Sequence, residues 1–216
     1  MPHFDLAVFD VDGTLLDTTE GVLSSVKYTV EHFGFKPLSE QRLKKFIGPP
    51  IQNSFADAYG LSGNILQEVA GVFRNRYKNF DLLKARPYDG IYETMDSLVK
   101  NGVRIAVATY KRQDYAEMIL RHFGFERYTD ITYGADHENR LKKRDIIEKC
   151  INDFGVFDYS SVVMIGDSDN DAIGAKNIGI SFIAVTYGFG FENAENAMEF
   201  PNVGIAGTPA DIANFF

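Results

Sequence analysis

Two aspartates, separated by one residue, follow the first apolar segment of the chain. Leu6–Phe9 is short, continuous and apolar, which predicts a buried strand, and Asp10 and Asp12 come directly after it. Because side chains alternate along an extended segment, both carboxylates point to the same side at the carboxyl end of this strand. In an open α/β sheet, ligands bind at that edge.

Carboxylates at this spacing are suited to binding a cation or to acid–base catalysis. Two like charges about 4 Å apart repel by about 4 kcal/mol at an effective dielectric constant near 20. A protein keeps such a pair where a cation or a proton balances the charge, or where water solvates it. The alternative is a solvated turn, because Asp-Gly, here at residues 12–13, is common in turns and Asp is a common helix cap.

Further polar side chains are predicted to reach the same edge of the sheet. One apolar segment ends before Thr109, and another ends before the acidic run that contains Asp167 and Asp171. Lys142 and Lys143 precede a predicted helix that packs on the sheet. Because the carboxyl ends of parallel strands meet at one crevice, we expect a hydroxyl, an ammonium group and further carboxylates beside the first two aspartates.

The periodicity of apolar residues divides the chain into two regions. Amphipathic helical patterns follow one another over residues 17–84 without a strand, whereas strands and helices alternate over residues 85–216. Repeated alternation predicts an α/β fold with a Rossmann-like parallel sheet and right-handed crossovers. A helical insertion between the first two strands predicts a separate small domain. We therefore predict a core of residues 1–16 and 85–216 and a helical domain of residues 17–84.

Composition limits the expected binding partners and the expected cellular compartment. The chain has 216 residues, 45% of them hydrophobic, and a net charge of −8, with no basic block, so nucleic acid and anionic membranes are not expected as partners. The single cysteine, Cys150, lies in an apolar helical pattern and excludes an internal disulfide. Residues 1–5 lack the features of a signal peptide, and no apolar run reaches membrane-spanning length. The expected location is the cytoplasm.

The motifs and their order resemble those of the haloacid dehalogenase superfamily. Residues 10–14, Asp-Val-Asp-Gly-Thr, resemble its first motif, DxDGT, and residues 166–171 resemble its fourth, GDxxxD. A helical insertion straight after the first motif is similar to the cap of the C1-capped branch. The segments 46–50 and 187–190 further resemble phosphoglycolate phosphatase-like members. The resemblance implies a hydrolase with a Rossmann-like core and a helical cap.

The resemblance also implies how the reaction proceeds. Asp10 would be the nucleophile that forms an aspartyl-phosphate, and Asp12 would protonate the leaving group and then activate water. The superfamily's dehalogenases lack an acid at the position of Asp12, which favours phosphoryl transfer. Thr109 would donate a hydrogen bond to a phosphoryl oxygen, and Lys143 would neutralise another, because this chemistry depends on placement and charge.

A Mg²⁺ ion is the cofactor that the resemblance implies. The side chains of Asp10 and Asp167 and the main-chain carbonyl of Asp12 would bind it, since this hard cation prefers oxygen ligands. Asp171 would support these ligands through water or through Lys143. Thr14, the last residue of the first motif, is a further supporting residue.

Some neighbours of these residues have competing interpretations. Lys142 precedes Lys143 and is expected to be solvated, whereas Lys111, two residues after Thr109, is another cation near the site. Tyr110 departs from the small polar residue often found after the motif threonine, which leaves the shape of the leaving-group pocket open.

Substrate specificity is expected to come from the cap. Gly48 and Pro49 form a rigid turn and Lys45 offers a positive charge, although an interhelix turn and a solvated helix face explain these residues equally well. The expected substrate is a small phosphorylated metabolite, phosphoglycolate by resemblance. A nucleoside monophosphate 5′-phosphatase and a pyrophosphatase are the alternatives, followed by a sugar phosphomutase. A non-catalytic module that uses the acidic site as a phosphorylation or Mg²⁺ switch is the alternative from another class. The oligomeric state stays open.

Overall fold

The chain forms two compact units in a computed structural model that describes residues 4–137, 140–156 and 158–216. The larger unit comprises Met1–Asp17 and Pro87–Phe216, and the smaller comprises Thr18–Arg86. Residues 1–3, which belong to the segment in which no signal peptide is predicted, lie outside the described residues. The boundaries predicted from sequence, after residues 16 and 84, lie next to these divisions. That the units are a catalytic core and a cap remains a proposal.

A parallel sheet forms the centre of the larger unit. The strands of the described residues are β1 (Leu6–Phe9), β2 (Leu16–Asp17), β3 (Arg86–Pro87), β4 (Arg104–Arg112), β5 (Thr132–Ala135), β6 (Val162–Gly166), β7 (Ser181–Val185) and β8 (Gly204–Ala206). Six of them pair in the order β5-β4-β1-β6-β7-β8, and β2 pairs with β3. All neighbours in the larger sheet are parallel. The predicted α/β fold with a parallel sheet is confirmed.

Helices connect these strands and also build the smaller unit. In the described residues they are α1 (Thr19–His32), α2 (Glu40–Lys44), α3 (Ile51–Tyr59), α4 (Gly63–Arg76), α5 (Ile91–Lys100), α6 (Gln113–His122), α7 (Lys143–Phe154), α8 (Asp169–Ile178) and α9 (Ala194–Met198). Short 3₁₀ helices lie at Phe125–Arg127, Tyr159–Ser161 and Pro209–Phe215. Among the described helices, none has both the length and the apolar composition needed to cross a bilayer.

The core of the larger unit explains the apolar patterns of its elements. The central strands β1 and β6 are buried along their whole length, as expected for parallel strands covered on both faces. Helix α7 buries an apolar face that includes Cys150, whose thiol donates to the carbonyl of Val107 at 3.3 Å. Burial raises the pKa of this thiol to about 12, so it stays protonated and acts as a core residue.

The smaller unit has its own core of aromatic rings and a buried ion cluster. Phe55 packs edge-on against Phe46, with 5.0 Å between the ring centres, and also contacts Phe73. The sequence pattern predicts one helix over residues 65–80, but α4 ends at Arg76 and a π-helical turn, Tyr77–Asp81, follows it. This turn accompanies the full burial of the Asp81 carboxylate, which is held by the side chains of Ser25, Arg76 and Lys84.

Strand β4 is longer than its apolar pattern indicates, and this places residues of the site. The sequence predicts a strand over 103–108, whereas β4 continues to Arg112 with a register irregularity against β5 after Ala108. Thr109, Tyr110 and Lys111 therefore lie within the strand. These residues are not apolar, so the apolar pattern alone could not reveal that the strand continues through them. The two-residue strands β2 and β3 are likewise too short to produce a pattern.

Candidate active site

The register of the sheet places Asp10 at the centre of the carboxyl edge. Phe9 pairs with Val107 of β4 on one side and with Ile165 of β6 on the other. Asp10 follows directly, is only 6% exposed, and donates its main-chain N–H to the carbonyl of Ile165 at 2.9 Å. Asp10 therefore follows the end of β1, between the two neighbouring strands β4 and β6.

The turn after Asp10 requires glycine at position 13. Gly13 has a φ of +83°, in the region that favours glycine, and a Cβ there would lie 2.0 Å from Oδ2 of Asp167. The N–H of Gly13 donates to the carbonyl of Leu16 at 2.9 Å, which closes the turn. The glycine of the first motif thus allows the chain to pass directly over the acidic residue of the fourth.

Lys143 lies between two of the carboxylates. Its Nζ is 2.6 Å from Oδ1 of Asp10 and 2.6 Å from Oδ1 of Asp171, and the residue is 3% exposed. Lys142, by contrast, is exposed. Lys143 is therefore the lysine whose ammonium group lies beside Asp10, and its chemical role stays a prediction.

Asp167 and Asp171 are each held by main-chain N–H groups. Oδ2 of Asp167 accepts hydrogen bonds from the N–H groups of Phe189 and Gly190, at 2.6 and 3.1 Å. Oδ2 of Asp171 accepts from the N–H and the hydroxyl of Ser168, at 3.1 and 2.7 Å, at the start of α8. Both carboxylates are therefore fixed, and both are buried.

Sequence analysis did not predict that residues 187–190 pack closely against Gly13 and Asp167. A Cβ at Gly188 would lie 2.3 Å from the carbonyl oxygen of Gly13 and 2.5 Å from Cβ of Asp167. A Cβ at Gly190 would lie 2.5 Å from the carbonyl oxygen of Asp167. The two glycines, spaced by one residue after β7, were the available signal for a loop that approaches another main chain closely.

Burial and electrostatic interactions between neighbouring groups shift the pKa values of the charged side chains around Asp10. Burial, with the nearby charges of Asp171 and Asp12, raises the pKa of Asp10 to about 7 although Lys143 lowers it. Burial and the same kind of repulsion raise the pKa of Asp167 well above its usual range. Burial would lower the pKa of Lys143, but the carboxylates of Asp10 and Asp171 outweigh it and raise that pKa, so the ammonium stays charged.

The donor set fits a divalent cation. Asp10, Asp167 and Asp171 each offer one carboxylate oxygen, and these atoms all lie within 4.8 Å of one another. All three residues are buried, so water cannot fully solvate their charges. An all-oxygen set of this kind matches hard cations such as Mg²⁺. The carboxylate of Asp171, for which the sequence predicts a supporting role, thus lies close to both predicted ligand side chains, Asp10 and Asp167.

The other predicted site residues surround this cluster. Asp12 is buried and its Oδ1 lies 3.0 Å from Nζ of Lys111, a pairing that the sequence did not reveal. Thr109 is 1% exposed, and its hydroxyl oxygen accepts from the N–H of Lys111 at 3.1 Å. Thr14 is fully buried, and its carbonyl accepts from the hydroxyl of Tyr187 at 3.0 Å.

The candidate specificity residues lie in the smaller unit. Lys45 follows the last turn of α2 and is exposed, and Gly48 and Pro49 are exposed in the turn before α3. Gly48 has a φ of +96°, so the turn depends on glycine there, and a Cβ at this position would meet no atom within 4 Å. Their part in substrate recognition stays a prediction.

Known proteins resemble the chain over most of its length. The family model described as haloacid dehalogenase-like hydrolase matches residues 7–185. A 5′-nucleotidase from Pseudomonas aeruginosa is 35% identical over 187 residues, which cover 86% of this chain and 84% of the relative. A phosphoglycolate phosphatase from Agrobacterium fabrum is 32% identical over 194 residues, which cover 87% and 83%.

A solved structure has the same fold throughout. The crystal structure of a predicted phosphatase from Clostridium acetobutylicum superposes with a TM-score of 0.89 at 31% identity, covering 98% of this chain and 97% of the other. The resemblance drawn from the two aspartate motifs is confirmed by the family match, and with it the prediction of a hydrolase. The chain belongs to the haloacid dehalogenase-like hydrolase family.

Proposed function

We propose that the chain is a Mg²⁺-dependent phosphatase that hydrolyses a small phosphomonoester through an aspartyl-phosphate on Asp10. The observation that carries the proposal is the position of this carboxylate. It lies at the end of β1, within 2.6 Å of a buried ammonium group and beside two further buried carboxylates. A nucleophile, a positive charge and a cation site therefore converge where a phosphoryl group can be attacked.

The first half of the reaction transfers the phosphoryl group to the enzyme. The carboxylate of Asp10 attacks phosphorus, and the bond from phosphorus to the leaving oxygen breaks as Asp12 gives that oxygen a proton. Nζ of Lys111, 3.0 Å from Asp12, balances the charge of the carboxylate once the proton has left. Lys143 and the hydroxyl of Thr109 bind phosphoryl oxygens, where negative charge builds up.

The second half returns Asp10 to its free state. Asp12 takes a proton from water, the water oxygen bonds to phosphorus, and the bond from phosphorus to Asp10 breaks to release inorganic phosphate. Asp10, Asp167 and the main-chain carbonyl of Asp12 would hold Mg²⁺, with Asp171 as a supporting carboxylate. When bound, the cation offsets the repulsion between the Asp10 carboxylate and the phosphate dianion.

Phosphoglycolate is the substrate we favour. The Agrobacterium fabrum relative carries that activity in its name, and the segments 46–50 and 187–190 resemble such members. The helical unit would act as the cap, with Lys45, Gly48 and Pro49 near the substrate, and the enzyme would work in the cytoplasm. A nucleoside monophosphate 5′-phosphatase is the second candidate, because the Pseudomonas aeruginosa relative at 35% identity is a 5′-nucleotidase.

Phosphate release from a panel of substrates tests the proposal. The panel contains phosphoglycolate, nucleoside monophosphates, sugar phosphates, pyrophosphate and p-nitrophenyl phosphate, each with Mg²⁺ and with a chelator. We expect release that requires the metal and is lost in Asp10→Asn, with phosphoglycolate turned over faster than the other compounds. A nucleoside monophosphate in first place would support the second candidate.

Three outcomes would contradict the proposal. Full activity in Asp10→Asn without deamidation would exclude Asp10 as the nucleophile. The absence of release from every compound by the wild-type protein would instead favour the non-catalytic switch. A rearranged sugar phosphate without free phosphate would identify a phosphomutase.

A further inference from the structure

Tyr110 contacts both ends of the buried lysine. Its hydroxyl oxygen accepts a hydrogen bond from the main-chain N–H of Lys143 at 2.9 Å. The centre of its ring lies 5.7 Å from Nζ of the same lysine, within the range of a cation–π interaction. One side chain from β4 therefore fixes the first residue of α7 at its main chain and faces its charged end.

The main-chain contact meets a need of the helix. Lys143 is the first residue of α7, and the first N–H groups of a helix have no partner within it. The tyrosine hydroxyl supplies such a partner, and its ring packs against the core cluster of the larger unit. From this fixed start, Nζ reaches Asp10 and Asp171 at 2.6 Å each.

We propose that Tyr110 is a positioning residue that sets the place of the Lys143 ammonium group beside Asp10. The proposal rests on the function proposed above for Lys143. Tyr110 acts through the lysine, because its hydroxyl and its ring both contact that residue. The tyrosine is the residue that departs from the small polar type expected after Thr109, and a small side chain could not make both contacts.

The same helix offers a matched control. Tyr133 of β5 has its ring centre 5.7 Å from Nζ of Lys149, and its hydroxyl donates to Oδ2 of Asp153 at 2.5 Å. This second tyrosine thus also contacts α7 through its ring and its hydroxyl. Lys149 is exposed, whereas Lys143 is 3% exposed and paired with Asp10. Substitution of either tyrosine should lower stability, whereas only substitution of Tyr110 should lower catalytic activity.

The kinetic test compares Tyr110→Leu, Tyr110→Phe and Tyr133→Leu with p-nitrophenyl phosphate as the substrate. We expect Tyr110→Leu to lower kcat about tenfold with KM changed less than about twofold, because Lys143 stabilises charge mainly in the transition state. Tyr110→Phe keeps the ring and should lose about threefold. Tyr133→Leu should leave kcat within about twofold of the wild type, even where its melting temperature falls equally.

A second measurement is independent of catalysis. NMR measures how fast the N–H of Lys143 exchanges with solvent. This exchange should be at least about tenfold faster in Tyr110→Phe than in the wild type, and its rate should be unchanged in Tyr133→Phe. Equal exchange rates would show that Tyr110 does not hold the start of α7. Equal kcat values for Tyr110→Leu and Tyr133→Leu would exclude the positioning role.

The kinetic test and the exchange measurement together distinguish failure of this proposal from failure of the function on which it rests. Wild-type protein that hydrolyses no phosphomonoester overturns the proposed function, and exchange at Lys143 then still decides whether Tyr110 positions the lysine. Active wild-type protein with an unaffected Tyr110→Leu overturns the positioning role and leaves the function standing.

Discussion

At the scale of single residues, the protonation of Asp10 links the site to stability. Burial, together with the neighbouring carboxylates, raises its pKa from 3.8 to about 7, against the effect of Lys143. A buried acid with a raised pKa holds a proton in the folded state that the unfolded chain has already released. The metal-free site is therefore partly protonated near neutral pH.

The sign of the resulting pH dependence follows directly. Between about pH 4 and about pH 7 the folded state binds more protons than the unfolded state, so the contribution of Asp10 to stability falls as pH rises. In chelator-treated protein, the free energy of unfolding of the wild type relative to Asp10→Asn should decrease over this range and level off above it. Urea unfolding at a series of pH values measures the difference. A difference that stays constant would refute the raised pKa.

Cation binding should have the opposite dependence. Only ionised carboxylates bind a metal, so the increase in melting temperature on adding millimolar Mg²⁺ to the same protein should grow as pH rises through about 7. The Asp10→Asn variant should show a smaller increase at every pH.

At the scale of elements, the loop after β7 holds the acidic cluster together. It donates two main-chain hydrogen bonds to Asp167 and passes close to Gly13 at Gly188. The strand ends supply the carboxylates, but the loop after the neighbouring strand β7 orients Asp167, which follows β6. The geometry of the site thus depends on a segment without any catalytic side chain.

Substitution of one glycine tests this dependence. In Gly188→Ala the new Cβ would lie 2.3 Å from a main-chain oxygen, so the loop must shift and its bonds to Asp167 must weaken. We expect kcat/KM for p-nitrophenyl phosphate to fall about 10²-fold, the scale of an ångström misplacement in an active site.

Gly71→Ala is the matched control for this substitution. A Cβ at Gly71, within α4, would meet no atom within 4 Å, so this variant should keep its kinetics and gain up to about 1 kcal/mol of helix stability. Similar kinetics for both variants would show that the loop does not orient Asp167.

At the scale of the whole molecule, each unit has its own core. A buried apolar cluster of the larger unit contains only residues of that unit, among them Leu6, Val8, Ile147 and Met164. The smaller unit packs its own aromatic rings and buries Asp81 among charges from its own helices. The carboxylates and the ammonium group of the site described above all belong to residues of the larger unit.

Removal of the smaller unit tests the proposed division into core and cap. Strands β2 and β3 pair at the two ends of the inserted segment, and paired strands lie about 4.8 Å apart, so a short Gly-Ser linker can replace residues 18–85. The shortened protein should lose the helical signal of α1–α4 but still unfold cooperatively and hydrolyse p-nitrophenyl phosphate. It should lose its preference within the substrate panel. Unfolded protein would contradict two independent domains, and an unchanged preference would exclude the cap as the source of specificity.

The sequence by itself determined the parallel sheet, the strand ends that carry Asp10, Asp12 and Asp167, and the lysine at the start of α7. These features follow from short-range patterns, because apolar periodicity defines strands and helices and strand ends then define the ligand edge. The family match confirms the resemblance that the two aspartate motifs suggested. The catalytic and metal-binding roles of these residues remain proposals that rest on those motifs.

Only the tertiary structure decided how these side chains are held. Asp167 is fixed by N–H groups 22 and 23 residues further along, and Lys143 by the hydroxyl of a tyrosine 33 residues before it. Lys111 pairs with Asp12 across adjacent strands. Such contacts depend on the packing of main chain and side chains across the sheet, and no local pattern of residue types encodes a distance between segments so far apart.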